Sequence, residues 1–272
     1  MIIDCKKYAE LILDKARGKG GHLAIIQVGE DQRSSVYVRG KVNDCKKADI
    51  VCDVFKLPET VASQQVETLI DQLNRNPSVT GIIIQLPLPA HLDESRLCSL
   101  VAPEKDVDGF NSASPFNPCT PEGIVFLLKR VVGSLDGVES TIVGRGVLVG
   151  APLQKMLTDQ NMTVTACHSH TKRLKEHTRR ADVVVLATGQ HIFDDCYFRS
   201  SSEYKYISGK EHFRPQVVID AGITFDENGK ICGDLITQQI DGADMIYTTV
   251  PGGVGLLTRA VLVAHVAGVK LL

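Results

Sequence analysis

The 272-residue chain holds no Cys-x-x-Cys pair, although it has eight cysteines, scattered singly at positions 5, 45, 52, 98, 119, 167, 196 and 232. Zinc ribbons and fingers need closely paired thiols, so this scatter speaks against a metal site. No apolar run approaches the roughly 20 residues of a membrane-spanning helix. The start, Met1-Ile-Ile-Asp-Cys-Lys-Lys7, is too charged and too short in apolar residues for a signal peptide. Lone cysteines without a secretion signal predict reduced thiols in a cytoplasmic protein. Charge of one sign is also lacking. Thirty Lys and Arg against 32 Asp and Glu leave a net charge of -2, which gives no basic footprint for nucleic acid. Internal repeats and low-complexity tracts are absent. What is present is 43% hydrophobic and 23% charged residues, the proportions of a globular protein with a substantial core. The length allows one large domain or two ordinary ones.

The division falls at Pro103-Glu-Lys-Asp-Val-Asp-Gly-Phe-Asn-Ser-Ala-Ser-Pro-Phe-Asn-Pro-Cys-Thr-Pro-Glu-Gly123. Proline and glycine at this density stop helices and strands alike. Thr120-Pro121-Glu122 then looks like a cap, a proline at the first helical position and an acidic first turn, opening a helix to about Val132. On each side of this stretch strands alternate with helices. A cleft between two such halves is a natural ligand site, with Asp106 and Asp108 on its wall. The blander reading of the two aspartates is a solvated Asp-Gly turn.

In the first half, Tyr8 to Ala16 has helical spacing, and His22 to Val28 is a short run that is apolar almost throughout. Such a run fits a strand covered on both faces, as in a parallel sheet. Ser34 and Ser35 are candidate caps of the next helix, Ile50 to Phe55 reads as a strand, and Val61 to Leu73 as an amphipathic helix. Gly81 to Leu86 is a third strand, halted by Pro87. In βαβ sheets ligands gather beyond the carboxyl ends of the strands. Tyr37 and Lys41, four apart on one helical face, and Gln85 at a strand tip fall there. Singly, each suits ordinary packing or solvation; their convergence with Asp108 is what marks a site.

In the second half, Val138 to Val143 is a strand followed by Gly144-Arg-Gly146-Val-Leu-Val-Gly150 and a helix through Leu157. This Gly-x-Gly-x-x-x-Gly turn is one residue longer than the usual dinucleotide fingerprint, but its strand-turn-helix context supports the reading. Small residues there let the backbone approach a pyrophosphate at a helix N-terminus. The next strand, Met162 to Ala166, leads into Cys167-His-Ser-His-Thr-Lys-Arg173, with no acidic residue for ribose hydroxyls. Ser169, Lys172, Arg173 and Arg145 supply donors and cations instead, which suits a 2'-phosphate and hence NADP. His168 and His170 lack further ligands and are discounted as a metal pair. Ala181 to Ala187 and Val217 to Ile219 are further buried strands. Tyr197 to His212 is a polar, partly irregular connection, Thr248 to Gly255 a Gly- and Pro-rich turn, and Leu257 to Val269 a strongly apolar helix that must pack on something.

Taken together, Tyr37-Val-x-x-Lys41, Gly81-Ile-x-x-Gln-Leu-Pro-Leu-Pro89, Lys105-Asp-Val-Asp-Gly-Phe110, Pro118-Cys-Thr-Pro121, Val143-Gly-Arg-x-x-x-Val-Gly150-x-Pro152, Thr163-Val-Thr-x-Cys-His-Ser169, Val218-Ile-Asp-x-Gly-Ile223 and Val250-Pro-Gly-Gly-Val-Gly255 span nearly the whole chain. In this order they resemble the bifunctional methylenetetrahydrofolate dehydrogenase/methenyltetrahydrofolate cyclohydrolase family. The resemblance implies two α/β domains flanking a cleft. One is a folate-binding catalytic domain (1–118, joined by the C-terminal helix 257–272), the other a Rossmann-type NADP-binding domain (119–256). It implies Lys41, Tyr37, Gln85 and Asp108 as catalytic residues. Leu86, Pro87, Pro251, Gly252 and Gly253 join these four in binding tetrahydrofolate derivatives, and Gly144, Arg145, Gly146, Ser169 and Ile223 bind the cofactor. It also implies a homodimer and a place in one-carbon metabolism and purine biosynthesis.

The sequence departs from the family pattern in four places. Gly146 replaces a serine, the link from Phe110 to Pro118 is short, Thr249 replaces a proline, and Leu256-Leu257 replace Pro-Met. Three alternatives stay open: an NADP oxidoreductase of the shikimate dehydrogenase type, a dehydrogenase without hydrolase activity, and a folate- or NADP-binding protein without turnover.

Overall fold

The structure is a computed structural model that describes the chain except Asp31, 201–214, Asn228 and 241–242, and the side chains of Gln32 and Arg33. Most of the polar connection expected between Tyr197 and His212 therefore lies outside the described residues. The chain forms two compact units, Ala9–Cys119 with Thr258–Leu272, and Met1–Tyr8 with Thr120–Leu257. All eight cysteines are free, and no described helix is long and apolar enough to cross a membrane.

Helix α1 (Cys5–Ala16) leads into the first unit, which continues with β1 (His22–Val28), α2 (Gln32–Lys47), β2 (Val51–Leu57), α3 (Ser63–Arg75), β3 (Gly81–Ile84) and α4 (Glu94–Ser99). The three strands form a parallel sheet in the order β2-β1-β3. β1 is central, and every residue from Leu23 to Val28 is buried, as expected of a strand covered on both faces. Ala24, Ile26, Val28, Ile82 and Ile84 point to one side and form a core with Val66, Ile70 and Leu73 of α3. Ser34 and Ser35 are not caps. α2 begins at Gln32, so both lie in its first turn, and the Ser35 hydroxyl accepts from Gln27 Nε2 at 3.1 Å.

The second unit follows with α5 (Cys119–Val131), β4 (Glu139–Val143), α6 (Gly150–Thr158), β5 (Thr163–Cys167), α7 (Leu174–Arg180), β6 (Val183–Leu186), β7 (Gln216–Asp220), the two-residue strands β8 (Thr224–Phe225) and β9 (Ile231–Cys232), and β10 (Met245–Tyr247). α5 starts one residue before Thr120, which is thus a first-turn residue rather than the expected cap. Five strands make a parallel sheet in the order β10-β7-β6-β4-β5. The chain starts inside the sheet at β4, steps out to β5, then returns past β4 to β6. That reversal between β4 and β6 is the switch point at which doubly wound sheets bind ligands. The N-terminal residues lie along the edge strand β10, with Ile3 N donating to Tyr247 O at 2.7 Å.

The last helix, α8 (Val254–Val266), begins directly after Gly253 rather than at Leu257. From Thr258 onward it belongs to the first unit. There buried His265 lies against the loop after α4: its Nδ1 is 2.8 Å from Val107 O, and its ring stacks on Phe116 at 4.7 Å.

Candidate active site

Lys41 and Gln85 meet. The Gln85 backbone still belongs to the ladder, its N–H donating to Ile26 O at 2.8 Å. Its side-chain Nε2 donates to Leu86 O at 2.7 Å, which leaves Oε1 to accept from Lys41 Nζ at 3.1 Å. Lys41 is only 8% exposed, and among the described residues it forms no ion pair. Lysine is rarely buried without a carboxylate; here a neutral amide takes that place. Tyr37 stands one helical turn earlier on the same face of α2, half-buried. Burial raises its phenol above the ordinary value, and the Arg259 cation works in the opposite direction. Leu86 and Pro87, joined by a cis peptide bond, follow Gln85 directly.

The Lys105-Asp-Val-Asp-Gly motif divides into parts with different tasks. Lys105 Nζ donates to the carbonyls of Leu73, Asn74 and Asn76 at 3.0, 2.8 and 2.7 Å, closing the C-terminus of α3. Asp106 is buried, and its carboxylate accepts from the Gly109 and Asn111 N–H groups at 3.2 and 2.7 Å. Burial nevertheless raises its pKa. The sequence put both aspartates on the site wall; Asp106 instead holds its own loop together. A bridge between Asp106 and Ile82 fixes this segment beside β3, the strand that carries Gln85 at its end. Asp108 is half-buried, and its side chain is committed to no hydrogen bond among the described residues. Gly109 is required by shape: it has φ +72, and a Cβ there would lie 2.5 Å from the Asn117 carbonyl.

The second unit holds the remaining candidates. Gly144 follows β4 with φ +115, and a Cβ on it would stand 2.2 Å from Ala187 O at the end of β6. A Cβ on Gly150 would be 2.0 Å from Gly144 O. These contacts draw the turn down onto the switch point. Arg145, Gly146, Val147 and Leu148 are left exposed, Val147 to 82%. The N-terminus of α6 has no side-chain cap. Ala151 N donates to Gly146 O at 3.0 Å and Pro152 has no N–H, so the positive dipole end with the Gly150 N–H is what suits an anion. This cradle fits a dinucleotide pyrophosphate. Ser169 is exposed just past β5, and Ile223 is exposed past β7. Arg173 is exposed and pairs with Glu176 at 3.4 Å. Pro251, Gly252 and Gly253 precede α8. The Val250-Pro251 bond is cis, Gly252 has φ +92, and a Cβ on Gly253 would meet Thr249 O at 2.1 Å.

Sequence reasoning missed a pair of buried aspartates. The Asp220 carboxylate accepts from the N–H groups of Gly222, Asp234 and Leu235 at 3.0, 3.1 and 2.9 Å. The Asp234 carboxylate accepts from Thr188 N, Thr188 Oγ1 and Gln190 N at 2.6, 2.8 and 2.9 Å. Together they fix the loops after β6 and β7, including the one that carries Ile223. The only signal in the sequence was an Asp at the end of a buried strand.

Thus the structure defines a two-unit α/β protein. One unit has a buried lysine–glutamine pair at a strand end, and the other a doubly wound sheet with a phosphate cradle at its switch point. Residues 3–108 match the family model of the tetrahydrofolate dehydrogenase/cyclohydrolase catalytic domain, and residues 118–270 match that of the corresponding NAD(P)-binding domain. The bifunctional protein FolD of Brevibacillus brevis is 38% identical over 266 residues, covering 94% of this chain and 89% of that one. That of Bordetella avium is 40% identical over 262 residues, 92% and 87% of the two chains. The crystal structure of the bifunctional FolD enzyme from Campylobacter jejuni superposes with a TM-score of 0.87 at 31% identity, over 98% of this chain and 97% of that one. The Trypanosoma brucei enzyme, complexed with NADP cofactor and inhibitor, gives 0.85 at 25% identity, over 98% and 95%. The chain belongs to the tetrahydrofolate dehydrogenase/cyclohydrolase family.

Proposed function

We propose that the chain oxidises methylenetetrahydrofolate with NADP and hydrolyses the resulting methenyltetrahydrofolate to formyltetrahydrofolate. NADP, when bound, accepts the hydride from the bridging methylene carbon. Arg145, at the exposed turn, and Ser169 would hold its 2'-phosphate, while Gly144, Gly146 and the dipole end of α6 at Gly150 would receive the pyrophosphate and Ile223 would flank the cofactor. Asp108, with its carboxylate uncommitted, would accept from the amino and ring N–H edge of the pterin. Leu86, Pro87, Pro251, Gly252 and Gly253 complete the folate contacts.

In the hydrolytic step the oxygen of water adds to the methenyl carbon and a C–N bond then breaks. One proton must leave the water and one must reach the departing nitrogen. In this reading Lys41 takes one proton from the water and delivers it to the nitrogen, the other being released to solvent, with Tyr37 on the same helical face and Gln85 holding the amine. The observation that carries this reading is the buried Lys41 bound to a neutral amide in a protein of this family. That arrangement makes a dehydrogenase without hydrolase activity the weaker reading. Membership of both folate family models sets aside the shikimate dehydrogenase type.

The test is direct. Methylenetetrahydrofolate with NADP should yield NADPH, and methenyltetrahydrofolate alone should lose its absorbance. Ligand binding without either change would instead establish a protein without turnover. We further propose that the chain acts in the cytoplasm, supplies one-carbon units to purine biosynthesis, and works as a homodimer. The unpaired edge of β2, with Val51 exposed, supports association, and the mass in solution would decide it.

A further inference from the structure

Gly40 sits in the interior of α2, three residues after Tyr37 and one before Lys41. Glycine is among the weakest helix formers, and this one has no positive φ to justify it. Its reason is Arg259 of α8. A Cβ on Gly40 would lie 2.4 Å from Arg259 Nη1 and 2.8 Å from Cζ. Through that notch the guanidinium crosses α2 and donates from Nε to the Asp44 carboxylate at 2.8 Å. The pair is largely out of solvent, with side-chain exposures of 21% for Arg259 and 6% for Asp44. Lys47 reaches Asp44 from the exposed side at 3.4 Å. Residues 37, 40, 41 and 44 are spaced i, i+3, i+4, i+7 and so share one face of the helix. The guanidinium thus lies along the stripe that bears Tyr37 and Lys41.

We propose that Arg259, threaded past Gly40 onto Asp44, is a positioning residue that fixes the Tyr37–Lys41 face for hydrolysis. No other described residue gives α2 an ion pair with α8. An arginine suits the task because its planar group can lie flat in the notch while one edge meets the carboxylate. This inference rests on the proposed activity, since Lys41 is what the arrangement serves.

Gly40→Ala separates positioning from structural support. Alanine improves the helix, which offsets part of the cost of loosening the pair that buries Asp44, so thermal stability should fall less than in Arg259→Ala. The added methyl displaces the guanidinium, and kcat for methenyl hydrolysis should fall on the order of ten- to a hundred-fold, the scale of a misplacement near 1 Å. NADP affinity should stay within about twofold of wild type, a range that is small in free energy. Arg259→Ala should lose kcat similarly, with Arg259→Lys recovering part of it. If Arg259→Ala fails to fold, Gly40→Ala and Arg259→Lys carry the test, with rates normalised to the folded fraction by circular dichroism. Wild-type kcat in Gly40→Ala, or an Arg259→Lys indistinguishable from Arg259→Ala, would overturn the proposal. An inactive wild type would instead overturn the activity itself.

Discussion

Gln85 presents its oxygen to Lys41 because its nitrogen is already used: Nε2 donates to Leu86 O at 2.7 Å, and Oε1 accepts from Nζ at 3.1 Å. The amide orientation follows from the neighbouring carbonyl, so the amine is held by an acceptor that never carries charge.

Lys41→Met should therefore abolish methenyl hydrolysis while leaving a folded protein that binds NADP. General acid–base groups contribute roughly 100- to 10,000-fold, so the loss is large. Hydrolysis at the wild-type rate in this variant would remove Lys41 from the mechanism.

Gln85→Glu tests the neutrality of the acceptor. The carboxylate would pair with Nζ in a buried setting and hold the amine as ammonium. It would also face Leu86 O with no proton to donate. Hydrolysis should fall, because a carboxylate in place of the amide oxygen ties up the Nζ protons. A wild-type rate would show that the charge at position 85 is not felt at Lys41.

Asp108 and Asp106, two residues apart, should behave oppositely. Asp108→Ala should slow both activities together through weaker folate binding, with stability little changed. Asp106→Ala leaves the Gly109 and Asn111 N–H groups without their acceptor, at a cost of about 1–3 kcal/mol, the price of an unmet buried hydrogen bond. Thermal melts beside the two assays separate the variants. A stable Asp106→Ala protein would refute the loop role.

This contrast also shows how far the sequence could be read. The motif Lys105-Asp-Val-Asp-Gly marked a loop that specific hydrogen bonds hold in shape, and the apolar runs of β1 and β3 put Gln85 at a strand end with the correct span for β1. Which aspartate was committed to backbone amides was not legible, because that depends on how the loop closes on itself. Helix starts drifted for a similar reason. Ser34, Ser35 and Thr120 have cap chemistry, yet α2 and α5 begin earlier and take them into the first turn. The Arg259–Asp44 pair joins residues 215 apart, and the tie between Asp220 and the Asp234 backbone joins segments 14 apart. Neither leaves a periodic trace. Gly40 could have prompted a question, since a glycine inside a helical pattern needs a reason.

Arg145→Ala addresses cofactor choice. An Arg–phosphate contact is charge-assisted and often bidentate. Losing it should cost about 1.5–3 kcal/mol, roughly ten- to a hundred-fold in NADP affinity. NAD lacks the phosphate, so its affinity should barely change. Gly146 has no side chain to share the task, which leaves more of it to Arg145. Equal losses for NAD and NADP would mean that Arg145 supports the turn and does not read the phosphate.

The last prediction concerns pH and Asp220. Burial pushes its carboxyl up to about 6, against the pull of three N–H donors, and the Asp234 charge adds to the rise. In the unfolded chain an aspartate titrates near 3.9. Between these values the folded protein binds more protons than the unfolded one, so this group's contribution to stability falls as pH rises. The contribution is complete below about pH 4 and gone above about pH 6, amounting to on the order of 2–3 kcal/mol. Asp220→Asn cannot titrate. It is less stable at every pH, since its NH2 faces one of the donors that the carboxylate satisfies. The stability difference, wild type minus variant, should nevertheless shrink from pH 4 to pH 6 and stay level above. Urea unfolding across that range measures it, and subtracting the variant cancels the carboxylates that do not interact with Asp220. A difference that is flat or grows with pH would mean that Asp220 ionises at or below the ordinary value, and that its three N–H donors outweigh its burial.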